Sequence, residues 1–168
     1  KLKEIGATEL CMPCNTAHYS IEVLKEKIDL PFIDMIEETI LQVKNQKAKK
    51  IGILASDGCI KGKVYEKYFE KICSDKEIIY PITSWQEEVT RGIKLVKTSR
   101  RINSIDVFKN VCDHLVDNFG VELIVLGCTD ISVCFTKHDY KRVPIIESLD
   151  ALAEKIYNDY YVEVPGNK

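Results

Sequence analysis

The sequence has no apolar run long enough for a membrane-spanning helix and no large excess of charge of either sign. Its 24 basic and 26 acidic residues give a formal net charge of -2, which argues against a nucleic-acid footprint or a polybasic membrane patch. The first residues also lack the apolar centre of a signal peptide. We therefore expect a cytoplasmic protein with small-molecule partners, binding no nucleic acid and no membrane.

Other absences reduce the number of cofactors and site types that we expect. There is no glycine-rich phosphate loop and no low-complexity or Gly/Ser-rich segment. The seven cysteines are too irregularly placed for a disulfide scaffold, and their odd number leaves at least one thiol free. We expect reduced cysteines and no nucleotide cofactor.

Short apolar runs of strand length alternate with segments of helical period. The runs are 8–12, 31–33, 50–55, 78–80, 121–126 and 143–146. This alternation predicts an α/β fold with mainly parallel sheets. Gly120 is expected to end a helix and Ser148 to cap the start of one.

Two of these strands run into a cysteine at a strand-to-helix turn. Cys14 follows the first strand, and Cys128 follows the strand that ends at Gly127. The carboxyl ends of parallel strands are where ligands bind, and a helix start can favour the thiolate. Each cysteine taken alone fits a small buried residue at a tight turn slightly better.

Both turns resemble known signature segments. Residues 12–18 (Met-Pro-Cys-Asn-Thr-Ala-His) and 126–132 (Leu-Gly-Cys-Thr-Asp-Ile-Ser) are similar to those of the aspartate racemase family in the Asp/Glu racemase superfamily. The resemblance extends over essentially the whole chain. It implies two pseudo-symmetric three-layer domains facing each other across a cleft, and racemisation of an amino acid without pyridoxal phosphate or metal.

In the implied mechanism, one cysteine removes the Cα proton as a thiolate and the other returns a proton as a thiol. The Cα–H is a very weak acid, so several donors must hold the substrate carboxylate as charge develops. The resemblance makes Cys14 and Cys128 catalytic and places Cys59 and Lys97 against the substrate. Asn15, Thr16, Ala17 and Thr129 are suitable further donors to the substrate, and we expect His18 and Asp130 to support the site from behind. Alternatively, Thr129 simply caps a helix and Lys97 solvates a helix surface.

The sequence departs from the family pattern at three places. Residues 56–59 read Ser-Asp-Gly-Cys where the family usually has Thr-x-Gly-Thr, and Asp130 replaces a common Glu. The family's glycine-rich first strand and its arginine segment have no counterpart, so we expect an N-terminally incomplete first domain. The expected division is 1–30 plus 141–168 for that domain and 31–140 for the second.

We expect interconversion of L- and D-aspartate by a homodimer, with glutamate as the nearest alternative substrate. Glutamate racemase, hydantoin racemase, maleate isomerase and arylmalonate decarboxylase are related possibilities. A non-catalytic protein that binds small dicarboxylates is a further one. Less favoured are a redox pair, since Cys11 before Cys14 should be buried in its strand, and a zinc site from Cys128, Cys134 and His138.

Overall fold

The computed structural model describes residues 1–98 and 102–161. The strands are β1 (Leu10–Cys11), β2 (Phe32–Ile33), β3 (Lys50–Ala55), β4 (Glu77–Ile79), β5 (Leu123–Gly127) and β6 (Ile145–Glu147). The α-helices are α1 (Ile21–Lys27), α2 (Met35–Lys44), α3 (Asp57–Lys61), α4 (Glu66–Ile72), α5 (Thr83–Lys97), α6 (Ile102–Phe119), α7 (Thr129–Ser132) and α8 (Ser148–Tyr160). Among the described residues, no helix is both long and apolar enough to cross a membrane.

The larger sheet has four parallel strands in the order β4-β3-β5-β6. In its centre, Ile51 lies opposite Leu123 and Ala55 lies opposite Gly127. Both central strands are apolar and almost entirely buried, as expected for parallel strands covered by helices on both faces. Their register brings the ends of β3 and β5 to the same edge of the sheet, where Cys128 follows β5.

Alternate residues of the central strands face two separate cores, which makes the sheet the middle of three layers. Ile53 and Val125 pack with apolar side chains of α2, α4 and α8. Leu54 and Leu126 pack on the opposite face with α5 and α6. Gly120 follows α6 with a φ of 65°, as predicted for a glycine that ends a helix. The expected mixed α/β fold with parallel sheets is therefore confirmed.

The smaller sheet corrects the expected boundaries. It consists of β1 and β2 in parallel, although a boundary at 31 predicts that β2 joins the central strands. β6 in turn pairs with β5, with Ile145 opposite Ile124, and not with the N-terminal strands as a boundary at 141 predicts. Both β2 and β6 have at most three residues, so their sequences carry little information about which neighbour they join. From this part of the chain, α8 does contact the N-terminal segment, since Tyr160 donates to Glu9 at 2.7 Å.

The contact between α5 and α6 depends on a glycine, and we expect Gly92→Ala to destabilise the fold by about 1–3 kcal/mol. A Cβ on Gly92 would lie 2.6 Å from the fully buried ring of Phe108. This clash should exceed the intrinsic helix preference for alanine of about 1 kcal/mol. Urea unfolding measures the difference. In a Phe108→Leu background the same substitution should cost less, and an equal cost in both backgrounds would contradict the clash.

Candidate active site

Cys14 lies in the turn that leaves β1. Its N–H donates to the carbonyl of Met12 at 2.8 Å, which closes a tight turn around Pro13, whose ring fixes φ. The chain then enters a short 3₁₀ helix, Thr16–Ser20, and continues into α1. Cys14 is exposed, so a small molecule can reach its thiol.

Cys128 occupies the corresponding position after β5 and is the N-cap residue of α7. It is only 9% exposed. Burial raises the pKa of its thiol, although the backbone N–H groups of Asp130 and Ile131 and the charge of Lys97 act in the opposite direction. Because the effect of burial prevails, this thiol keeps its proton at neutral pH. The two cysteines therefore have different surroundings.

A buried chain of hydrogen bonds ties the Cys14 turn to the end of β5. The Tyr65 hydroxyl donates to Asn15 Oδ1 at 2.6 Å, and Asn15 Nδ2 donates to Ser148 Oγ at 3.0 Å. The Ser148 hydroxyl donates to the carbonyl of Leu126 at 3.0 Å. A carbonyl can only accept, so the direction of every bond in the chain is fixed. Ser148 is thus not the expected cap but the first residue of α8, and its hydroxyl serves this contact.

Because Gly127 has no side chain, the ring of Tyr65 can pack directly against it. A Cβ on Gly127 would lie 2.9 Å from a ring carbon of Tyr65 and 3.1 Å from its hydroxyl. Tyr65 is fully buried, and burial raises its pKa well above the usual value, so its hydroxyl remains a donor. The residue before Cys128 and the residue after Cys14 are therefore held by the same tyrosine.

Cys59 is a third thiol in this neighbourhood. Burial, together with the smaller effects of Cys128, Glu66 and Cys14, raises the pKa of its thiol to about 12. Its side chain is a predicted substrate contact, yet it is only 1% exposed. The adjacent Ser56 Oγ lies 2.7 Å from Thr16 Oγ1, so the predicted donor Thr16 contacts the end of β3.

The predicted residues of the second turn also lie together. Lys97 Nζ is 3.3 Å from Asp130 Oδ2, and the same carboxylate oxygen is 3.9 Å from Cys128 Sγ. Thr129 is the half-buried first residue of α7. Ala17 is half-buried in the 3₁₀ helix of the first turn. The proposed roles of these residues stay predictions, but the structure gathers them around two cysteine turns.

Behind Cys14 lies a buried cluster in which His18, already expected to support the site, meets Asp34, which was not among the predicted site residues. His18 Nδ1 is 2.8 Å from the carbonyl oxygen of Cys14, and His18 Nε2 is 3.6 Å from Asp34 Oδ1. Asp34 also accepts hydrogen bonds from Lys25 at 2.9 Å and from the Tyr68 hydroxyl at 2.6 Å. Burial alone would raise the pKa of Asp34, but the bonds from Tyr68 and Lys25 outweigh it and hold the pKa below its usual range. In sequence, Asp34 shows only the pattern of a helix cap.

The structure also bears on the two less favoured sites, the Cys11–Cys14 redox pair and the zinc site. Cys11 is exposed and free, not buried as expected, because β1 has two residues and pairs only with β2 among the described strands. For metals, no group of three or more His, Cys, Asp or Glu side chains in 1–98 and 102–161 is arranged to hold an ion. Cys128, Cys134 and His138 therefore form no zinc site in this structure.

A groove of about 560 Å³ lies along α5 rather than over the cysteines. Asp57, Tyr80, Gln86 and Lys94 are among its lining residues. Lys94 is one helical turn before Lys97, which contacts the Cys128 turn. The groove therefore adjoins the candidate site without containing its thiols.

Comparison with known proteins assigns this arrangement to a family. The sequence model of the family described as Asp/Glu/Hydantoin racemase matches residues 1–156, which include both cysteine turns. The chain belongs to this family.

Individual family relatives differ in substrate. The chain is 26% identical over 165 residues to the broad specificity amino-acid racemase RacX of Bacillus subtilis (strain 168), covering 95% of this chain and 68% of RacX. It is 30% identical over 159 residues to the glutamate racemase of Persephonella marina, covering 90% and 58%. The structure of Picrophilus torridus aspartate racemase superposes with a TM-score of 0.80 at 24% identity, covering 94% and 64%. The chain thus spans 58–68% of these three proteins.

Removal of one hydroxyl should loosen the link between the two turns. Tyr65→Phe leaves Asn15 Oδ1 without its donor inside the protein, and we expect a loss of about 1–3 kcal/mol of unfolding free energy. Tyr157→Phe is the matched control, because Tyr157 is 59% exposed and its loss should be close to zero. Chemical denaturation measures both. Equal effects would show that the Tyr65 bond adds no stability.

The buried Cys59 thiol should make stability depend on alkaline pH. Its pKa is raised from 9.0 to about 12 by burial, so the unfolded chain loses this proton first as the pH rises. The stabilising contribution is full below about pH 9 and is lost as the pH rises toward 12. Relative to Cys59→Ala, wild-type protein should lose up to about 1.4 kcal/mol per pH unit in this window. Parallel pH dependences of the two unfolding free energies would contradict the shift.

Proposed function

We propose that this chain acts as a cofactor-independent amino-acid racemase that interconverts L- and D-aspartate. In this proposal Cys14 and Cys128 are the acid and the base on opposite sides of the substrate. The observation that carries the proposal is the buried Tyr65–Asn15–Ser148 chain, which ties two cysteine turns together at the carboxyl ends of parallel strands. In the proposed reaction the two thiols carry the protons and the donors around the turns stabilise the charge that develops on the substrate carboxylate, so neither pyridoxal phosphate nor a metal takes part.

The unlike surroundings of the thiols suit unlike tasks. Cys128 keeps its proton, because burial raises its pKa, and it donates that proton to one face of Cα. Cys14 is exposed and removes the Cα hydrogen from the other face as a thiolate. The C–H electron pair remains on the substrate, delocalised into its carboxylate, until the opposite thiol supplies a proton. This turnover leaves Cys14 as a thiol and Cys128 as a thiolate, and that state carries out the reverse reaction on the other enantiomer.

An acidic amino acid fits the charge at this edge. Lys97 acts on Cys128 through its charge, and its Nζ lies 3.3 Å from Asp130 Oδ2. A substrate carboxylate would share this cation. Thr16, Ala17 and Thr129 supply further donors around the two turns, whereas the buried side chain of Asn15 is paired with Tyr65 and Ser148 and holds the turns together. The relatives include a glutamate racemase and a broad specificity racemase, so glutamate is the nearest alternative substrate. We propose a homodimer as the working assembly.

Single cysteine variants test the mechanism. Cys14→Ala and Cys128→Ala should each lower racemisation of aspartate at least about a hundredfold, since general acid–base catalysis contributes that much or more. In deuterium oxide, each variant should still exchange the Cα hydrogen of one enantiomer, and the two variants should favour opposite enantiomers. Proton NMR and chiral chromatography follow both reactions.

Cys11→Ala is the matched control, since Cys11 is also exposed and has no role in the reaction. It should racemise as the unchanged chain does. Near-normal racemisation by Cys128→Ala would contradict the two-base site. If the unchanged chain binds aspartate in calorimetry without exchanging its Cα hydrogen, the alternative of a non-catalytic dicarboxylate-binding protein is correct.

A further inference from the structure

We propose that His18 is a positioning residue for Cys14, that Asp34 holds its ring, and that this pair sets the reactivity of the Cys14 thiol. The inference rests on the proposed function only for the use that the enzyme makes of Cys14. The positioning itself concerns the thiol and can be measured without any amino-acid substrate.

The first step is the orientation of the imidazole ring. His18 Nδ1 lies 2.8 Å from the carbonyl oxygen of Cys14, and a carbonyl can only accept, so Nδ1 carries a hydrogen. His18 Nε2 faces Asp34 Oδ1 at 3.6 Å and has no hydrogen-bond partner within the described part of the chain. The ring is therefore hydrogen-bonded at Nδ1 to the carbonyl, and its other nitrogen lies against the carboxylate of Asp34.

The second step is the rigidity of Asp34. Its Oδ1 accepts the backbone N–H groups of Ile36 and Glu37 at the start of α2. Its Oδ2 accepts from Lys25 on α1 and from Tyr68 on α4. Three helices thus fix one carboxylate, and the side chains of His18 and Asp34 are only 0% and 2% exposed. Neither can move without leaving buried polar groups unpaired, which is costly.

The third step connects this cluster to the thiol. The bond from His18 holds the carbonyl of Cys14 toward the buried side, while the residue itself is exposed. The turn is closed on its other side by the bond from Cys14 N–H to Met12. With its N–H and its carbonyl both engaged, the Cys14 backbone has one orientation, and so the Cα–Cβ bond that carries the thiol points in one direction.

Two substitutions of His18 separate positioning from mere packing. In His18→Asn the amide N–H takes the place of the Nδ1–H and can still donate to the carbonyl of Cys14. In His18→Gln the longer side chain puts its amide at the position of Nε2, near Asp34, and the bond to Cys14 is lost. We expect His18→Gln to slow alkylation of Cys14 by iodoacetamide at pH 7 about three- to tenfold, equivalent to one net hydrogen bond. His18→Asn should stay within about twofold of the unchanged chain. Asp34→Asn should behave like His18→Gln.

Fragment-ion mass spectrometry gives the rate at each cysteine of one sample. The exposed Cys11 is the internal control for reagent access, and the fully buried Cys112 reports unfolding. An unchanged Cys14 rate in both His18→Gln and Asp34→Asn, with Cys112 protected, would overturn the proposal. If the variants unfold, nitrogen NMR of the unchanged chain decides, because a His18 Nδ1 without hydrogen would equally overturn it. A chain that fails to racemise aspartate leaves all these outcomes intact.

Discussion

The arrangement of the site depends on one constraint: the buried groups of the Tyr65–Asn15–Ser148 chain can be paired in only one direction. Leu126 offers an oxygen that only accepts, so Ser148 must donate to it, and each earlier bond follows. A buried polar group left unpaired costs more than a hydrogen bond contributes. The Cys14 turn is therefore docked at the end of β5, although the sheet of β1 and β2 is separate from the sheet that carries Cys128.

The two halves of the site use charge in opposite ways. Behind Cys14, Asp34 and Lys25 form an ion pair whose carboxylate is almost fully buried, and its bonds are needed because a buried charge is stable only when it is paired. Beside Cys128, the pair of Lys97 and Asp130 is largely open to solvent. Such an exposed pair contributes little stability and leaves its cation available. The first half is suited to holding a thiol in place, and the second to receiving an anion.

Comparison of sequence and structure shows which kinds of signal were reliable. Gly120 was correctly expected to end a helix, because a left-handed residue after a helix is a local requirement. Ser148 has the equally local pattern of a cap, but a partner 22 residues away, Leu126, takes its hydroxyl. Cys11 lies in an apolar run and is nevertheless exposed, since burial depends on what covers a strand and not on the strand itself.

By itself, the sequence determined the α/β alternation, the two cysteine turns and the resemblance to the racemase family, because each is written in residues that are neighbours along the chain. The tertiary structure alone decided that β6 joins β5, that Tyr65 links the turns, and that Asp34 lies beside His18. Those contacts join residues distant in sequence. Which of several chemically equivalent partners a buried group finds depends on how the helices and strands pack together, and no local pattern records that choice.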